Sequence, residues 1–367
     1  GNQKWVAWYN GTADDVDRAS AITLDSSGSV YVTGTSVGVG TRNDYLTIKY
    51  DSSGAQKWTA RYNGSSNLDE SAVSLALDKI GNVYVTGTGI RNGSSNDFLT
   101  IKYNSKGAKV WDIYYDGTGN GTDVAKAIAV DDIGSVYITG RSFGSLTLSD
   151  YVTIKYNTYG IQEWIARYDG PENNNDDPVA LAIDTNTNVF VTGSSYSDRS
   201  SLDFLTIKYN SNGNIQWARA FNGSGNGPDQ AMAISTDGFG DAYITGTSLG
   251  NGTLNDIATI KYTSTGELAW AVRYNDILNA DDAARSIAID KYGYFYVGGN
   301  SVGADSKQDI LIIKYRVTGT PDQAWPARAD GRGVGKDIAK TFIVDSLGQV
   351  YIAARSKSPI SSDDYSV

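Results

Sequence analysis

Trp58-Thr-Ala-Arg-Tyr-Asn-Gly64, Glu70-Ser-Ala-Val-Ser-Leu-Ala-Leu-Asp78, Gly81-Asn-Val-Tyr-Val-Thr-Gly87 and Asp97-Phe-Leu-Thr-Ile-Lys-Tyr103 are consecutive stretches that decide the fold. Each is short and rich in β-branched, aliphatic or aromatic residues, as strands are. Gly, Asn, Ser and Asp fill the gaps between them, as turns require. No sustained 3.6-residue pattern competes with this reading. The unit then recurs. Trp5, Trp58, Trp111, Trp164, Trp217 and Trp270 are spaced by 53 residues, and Trp325 follows after 55, the insertion Thr320-Pro321 supplying the difference. Only Trp8 lies outside the series. Four strands per unit at this period mark a β-propeller. The sequence therefore predicts an all-β chain forming a single seven-bladed β-propeller, with four antiparallel strands per blade.

A length of 367 residues alone would suggest two or three domains, but the repeat overrides that prior. One domain over 1–367 is expected, with blades at about 10–62, 63–115, 116–168, 169–221, 222–274, 275–329 and 330–367. The Ala-rich segment, as in Ala125-Lys-Ala-Ile-Ala-Val130, suits the crowded innermost position. The Val-Tyr-Val-Thr-Gly strand comes next, then Leu-Thr-Ile-Lys-Tyr, with the Trp strand outermost. Trp5-Val-Ala-Trp-Tyr9 is an outermost strand with no blade before it, and Asp364-Tyr-Ser-Val367 ends early in a third strand. The N-terminal strand, 1–9, is thus expected to complete the last blade and close the ring, which removes free edges.

The core Asp78-x-x-Gly81-Asn-Val-Tyr-Val-Thr-Gly87, its six counterparts and the following Asp-Phe/Tyr-Leu-Thr-Ile-Lys-Tyr resemble the SBBP family of β-propeller repeats. That family occurs in bacterial and archaeal extracellular and cell-surface proteins. The resemblance spans essentially the whole chain and implies a fold, with no shared catalytic motif. Gly298-Gly299 and Ala353-Ala354 replace Thr-Gly in the sixth and seventh copies, so those blades are expected to be less regular.

Composition limits the chemistry. The net charge is −10 and the pI near 4.6. Nucleic acid binding needs a basic surface to release counterions, and none is present. No apolar run approaches the ~20 residues of a membrane helix, so direct membrane insertion is not expected. Gly1 opens directly into repeat sequence without a signal peptide, as a trimmed secreted protein also would. There is no Cys and no His, which removes thiol nucleophiles, disulfides, His-assisted triads and sites needing N or S metal ligands. No cofactor is called for, although a hard, oxygen-seeking cation such as Ca2+ stays compatible with the many acids.

Three acidic series keep the beat. Asp17, Glu70, Asp123, Asp176, Asp229, Asp282 and Asp337 each precede an innermost strand. As a carboxylate collar at one mouth of the channel they would suit a metal; as acceptors of backbone N–H groups they are structural. Sevenfold recurrence favours the second role. Asp25, Asp78 and their counterparts, mostly followed three residues on by Gly, read as hairpin turns. Asp44, Asp97 and theirs open the third strand. Lys49, Lys102 and theirs alternate along it and would pair with acids or lie over the rings of the outer strand.

Two loops per repeat are long and Gly/Asn/Ser-rich, one after the outermost strand and one after the second. Both should emerge on one face, where a ligand is expected. Arg42, Arg91, Arg141, Phe143, Tyr196, Arg199 and Arg355 are its distinctive side chains, against the simpler reading that they are solvated loop residues. Asn10, Asn63, Asn92, Asn120, Asn222 and Asn251 head Asn-Gly-Ser/Thr sequons there, either N-glycosylation sites or turn dipeptides arising by composition. High similarity among repeats leads to the expectation of a non-enzymatic extracellular or cell-surface module. It would present the loop-rich face to a protein or glycan partner, alone or in an oligomer or larger assembly. A multivalent lectin-like carbohydrate binder is the alternative, then a hydrolase or lyase acting on polysaccharide.

Overall fold

The computed structural model describes residues 4–91, 93–119, 121–145, 147–170, 172–198, 200–303, 307–322, 325–329, 336–345, 348–356 and 364–366, with side chains through 354. Among them there is no helix. Seven antiparallel sheets follow one another at 17–62, 70–115, 124–168, 176–221, 229–274, 283–329 and 338–366. The first six have four strands and the seventh has three. In every sheet the strands neighbour one another in chain order, so each repeat is one simple meander. By packing, the chain forms two compact units, Gly1–Pro178 and Val179–Val367.

Residue chemistry explains the repeated shape of a sheet. The first strand carries a bulge, at Ala72/Ser74 in the second sheet, where one extra residue faces its neighbour. The bulge pushes a carbonyl towards the second strand. A Cβ on Gly87 would lie 2.0 Å from the Ser71 carbonyl oxygen, which is why Gly ends the Val-Tyr-Val-Thr-Gly motif. The preceding threonine pairs across the sheet: Thr86 Oγ1 lies 3.0 Å from Thr100 Oγ1, both buried. The turn after the first strand is built as expected. Asp78 Oδ1 accepts the Ile80 and Asn82 N–H groups, and Gly81 takes φ +83°.

Within each unit successive sheets dock through tryptophan. Trp58, on the fourth strand of the first sheet, donates Nε1–H to the Ser105 carbonyl of the second at 3.1 Å. Its indole lies on Gly107, φ +83°, where a Cβ would come within 2.7 Å of the ring. Trp217 sits on Gly266 in the same way within the second unit. Within each unit the Ala-rich first strands of consecutive sheets pack side by side, as their small side chains permit.

The sixth sheet is more regular than its Gly298-Gly299 suggests. Its second and third strands pair without interruption from Phe295↔Tyr315 to Val302↔Gln308. The missing threonine leaves room that Phe342 fills, since a Cβ on Gly298 would meet that ring at 2.4 Å. The sheet weakens instead at its fourth strand, reduced to Ala327–Ala329.

Candidate active site

The long loops of each repeat meet. Asn43 Nδ2 donates to Asp69 at 2.8 Å, and Ser149 Oγ to Asn175 at 2.9 Å, joining the loop after a second strand to the loop after the fourth. The collar acids lie beneath this surface and hold it. Asp17 accepts the Gly11 N–H at 2.7 Å, Asp123 that of Gly117 at 2.5 Å, Asp176 that of Gly170 at 2.6 Å, Asp229 that of Gly223 at 2.5 Å and Asp282 that of Asp276 at 2.9 Å. All except the partly exposed Asp17 are buried, Asp337 included. The third-strand aspartates from Asp44 to Asp309 are buried too, and in three sheets the fourth strand answers with arginine: Arg61 with Asp44 at 2.8 Å, Arg167 with Asp150 at 2.6 Å, Arg273 with Asp256 at 2.5 Å. These are structural roles, repeated.

The junction between the first two sheets departs from the repeat in an acidic and aromatic direction. In the second sheet the fourth strand reads Trp111-Asp-Ile-Tyr-Tyr115 instead of Trp-x-Ala-Arg-Tyr. Tyr114 replaces the arginine. Arg91, from the adjacent long loop, takes over the ion pair with Asp97 at 3.1 Å, and its guanidinium carbon lies 5.0 Å from the Tyr114 ring centre. Asp112 has no acidic counterpart in the other sheets. It accepts the Tyr62 hydroxyl at 2.8 Å and pairs with Lys109 at 2.5 Å, while the Lys109 ammonium lies 4.9 Å from the Tyr62 ring. The collar member here is the sole glutamate of its series. Glu70 is too long for the aspartate bond, and neither of its buried oxygens finds a donor in good geometry. Glu70 Oε1 and the Tyr114 hydroxyl flank Gly64, at 2.6 and 3.1 Å from where its Cβ would be.

The electrostatics follow from burial. Desolvation pushes Glu70 up to about 7, against the pull of the Gly64 N–H, with Asp44 and Asp69 adding to the rise. Desolvation raises Tyr62 far above an ordinary phenol, as do its neighbours Tyr114 and Asp112. Tyr114 is raised for the same first reason, eased by Tyr62 and reinforced by Glu70. A carboxyl that exchanges its proton near neutrality, two neutral phenols and two half-exposed cations are thus linked in one series, Lys109 against Tyr62 and Arg91 against Tyr114. Such an asymmetric set is what acid–base chemistry needs. A groove of 680 Å³ opens at the other end of the same two sheets, lined by Asp25, Tyr31, Lys49, Asp78 and Ile80 among others. Its polar groups are turn caps found in most repeats, so it offers no such asymmetry.

The structure does not gather the residues singled out in sequence. Arg42 is exposed and pairs loosely with Asp69 at 3.4 Å. Arg141 and Phe143 stand in a strand, not a loop, and the Phe143 N–H caps Asp123 at 3.1 Å. Tyr196 is a half-buried strand residue. Arg199, Asn92 and Asn120 fall outside the described residues, as does the Arg355 side chain. Asn10, Asn63 and Asn222 donate their amides to the residue four further on, and Asn251 is exposed beside Gly252. The lysines lie over the second-strand rings, not the outer ones: Lys49 over Tyr31 at 4.7 Å and Lys102 over Tyr84 at 4.9 Å, as cross-strand partners. Of the site residues, sequence reasoning reached Arg91 and Glu70 and missed Tyr62, Lys109, Asp112 and Tyr114. The signal was the departure of 112–114 from the repeat.

The SBBP family, described as "Beta-propeller repeat", matches residues 164–199. No curated protein matches the chain in sequence. Two solved structures of an ulvan lyase of polysaccharide lyase family PL25 are similar. One, described as bound to -[GlcA(1-4)Rha3S]-, has a TM-score of 0.51, and the other 0.52. Both share 12% identity and cover 93% of this chain and 89% of their own. This corrects the expectation of a non-enzymatic module. A chain similar over nearly the whole length is a polysaccharide lyase, so uniform repeats do not argue against catalysis. The reason is physical: a scaffold can repeat sevenfold while one junction diverges, as 112–114 does here. Residues 164–199 are thus an SBBP-type β-propeller repeat, and the other sheets repeat their sequence pattern.

Proposed function

We propose that the protein acts on an acidic polysaccharide, cleaving it by β-elimination at the long-loop end of the junction between the first two sheets. The observation that carries this reading is the asymmetric set of Arg91, Lys109, Tyr62, Tyr114, Asp112 and Glu70. β-Elimination from a uronic acid needs three things: a cation against the carboxylate, a base for the proton beside it, and an acid for the leaving oxygen. Arg91 and Lys109 supply positive charge on a protein of net charge −10. Tyr114 takes the ring proton as its own passes to Glu70 behind it. Tyr62, held by Asp112, gives its proton to the departing glycosidic oxygen. The carbon–oxygen bond breaks, a carbon–carbon double bond forms, and solvent restores the two tyrosine–carboxyl pairs.

The test is turnover of uronate-containing polysaccharides, read as ultraviolet absorbance of the unsaturated product. Tyr114→Arg installs the residue that four other repeats carry here, so the fold should persist while turnover falls by about 10³-fold. Unchanged turnover in this variant, or none in the parent on any uronate polymer, overturns the reading. An extracellular or cell-surface location suits such a substrate.

The finer fold proposal is closure of all seven sheets into one propeller domain, with residues 5–9 serving as the fourth strand of the last sheet. Trp5 supports it. Its Nε1 donates to the Ser52 carbonyl at 3.2 Å and its ring covers Gly54, as Trp58 covers Gly107.

A further inference from the structure

The short turns, at the end of each sheet away from the long loops, follow one chemistry until the sixth sheet. After the third strand the turn opens on Asp51, Asn104, Asn157, Asn210 or Thr263 in the first five sheets. The side-chain oxygen of each accepts the N–H four residues on, at 3.0, 3.0, 3.1, 3.0 and 3.1 Å. The sixth sheet puts Arg316 there. A guanidinium only donates, so this cap is lost. The turn itself persists, with the Arg316 N–H on the Thr320 carbonyl and the Gly319 N–H on the Arg316 carbonyl, both at 2.9 Å.

The neighbouring turn, after the first strand, departs as well. Elsewhere it ends on a short polar residue: Asn82 and Asn188 donate their amides back to Asp78 and Asp184 at 2.7 Å, and Asp241 pairs with Lys261 at 2.8 Å. The sixth sheet has Tyr294, whose ring centre lies 4.2 Å from Lys314 Nζ. At the tip Tyr292 is 67% exposed, with the Lys291 ammonium 5.0 Å from its ring centre. Between the two turns opens a cleft of about 440 Å³ lined by Tyr292, Gly293, Tyr294, Arg316, Val317 and Thr318. Asp290 is taken up by its own turn, accepting the Tyr292 and Tyr294 N–H groups at 2.9 and 3.0 Å and the Tyr296 hydroxyl at 3.2 Å. Asp322 acts on Lys314. Arg316 is exposed, and among the described residues no ion pair holds it. Three cations thus stand against two acids, on a chain of net charge −10.

We propose that this cleft is a non-catalytic binding site for an acidic saccharide. Both turns give up a local bond for a side chain at one shared cleft, and rules broken without gain to the fold mark functional positions. The exposed tyrosine rings offer faces for the C–H side of a sugar ring and hydroxyls for its polar edge. Arg316 presents a planar fork that matches a carboxylate or a sulfate, with Lys291 beside it. The volume lies in the range of small-ligand sites, ~300–1,000 Å³. A nucleotide fits less well. Phosphate sites draw on free backbone N–H groups, and those of Gly293 and Gly319 are bonded within their turns at 3.1 and 2.9 Å. The site shares its ligand class with the proposed cleavage but does not rest on it, since it stands on its own residues in the sixth sheet.

The experiment is calorimetric titration of the full chain with short oligogalacturonides and with sulfated dextran, taking unsulfated dextran and adenosine monophosphate as controls. The Tyr114→Arg chain is used, so that no probe is consumed. Heat with the oligogalacturonides alone would assign the carboxylate, and heat with sulfated dextran alone the sulfate. Arg316→Asn restores the cap of other sheets, and Tyr292→Ser the residue at Ser27, so both should fold; circular dichroism checks this. Each should weaken binding of the acidic probe by about tenfold, as loss of a charged hydrogen bond or a stacking face does. No heat with either acidic probe, equal affinity in Arg316→Asn, equal heat with unsulfated dextran, or tighter binding of adenosine monophosphate overturns the proposal. A parent chain that cleaves no polymer, while Arg316→Asn loses affinity, removes the lyase reading and leaves this site. Cleavage by the parent with equal affinity in Arg316→Asn does the reverse.

Discussion

Glu70 shows how one methylene changes a position. Its aspartate counterparts hold a backbone N–H in good geometry; Glu70 overshoots, and the pull of the Gly64 N–H does not offset its burial. Its carboxyl is held at about 7 in the fold, against an ordinary value of 4.5. The folded chain thus binds the proton more tightly than the unfolded chain does. Stability is fullest below pH ~4.5, falls as pH rises towards ~7, and is level above. Glu70→Gln has no charge to bury. It should match the parent near pH ~4 and exceed it near pH ~8 by on the order of 2 kcal/mol, measured by urea melts at both pH values. An equal gap at both would show that desolvation of the carboxylate is not the cause.

At the scale of elements, the turn glycines separate two effects. Gly93 and Gly107 both have positive φ, +88° and +83°. A Cβ on Gly93 meets nothing, while one on Gly107 meets Trp58 at 2.7 Å. Gly93→Ala should cost about 1 kcal/mol of backbone strain. Gly107→Ala should cost about 2 kcal/mol more, because it also unseats an indole. Thermal melts of the two variants decide this, and equal losses would remove Trp58 from the account. The strands themselves were legible because each repeat states them again. Asp78 with Gly81, or the alternation around Lys102, can be read from one copy and checked in six. The Lys–Tyr pairing was not, since it depends on the register Tyr84↔Lys102, which sequence alone does not give.

For the molecule as a whole, the closure proposal makes the segment 4–9 a structural part. Replacing Trp5 by Ala should lower the melting midpoint by several degrees, as loss of a seated aromatic residue does, about 3 kcal/mol. Amide exchange should slow in residues 364–366 only if the missing strand is supplied. The candidate site was the least legible part. Tyr62 and Asp112 are 50 residues apart, and a repeat-based reading discounts every acid and tyrosine that keeps the beat. What matters there is the departure at 112–114.

The tryptophan seat has a consequence for how such chains lengthen. At the seats seen within each unit, one sheet offers an indole forward and the next a glycine turn backward, so the contact is head-to-tail and needs no third partner. Nothing in a single repeat counts to seven. Duplicating or losing one copy would leave the seats between the remaining neighbours of the same kind. Copy number can then drift while the joint is preserved, leaving one junction free to specialise.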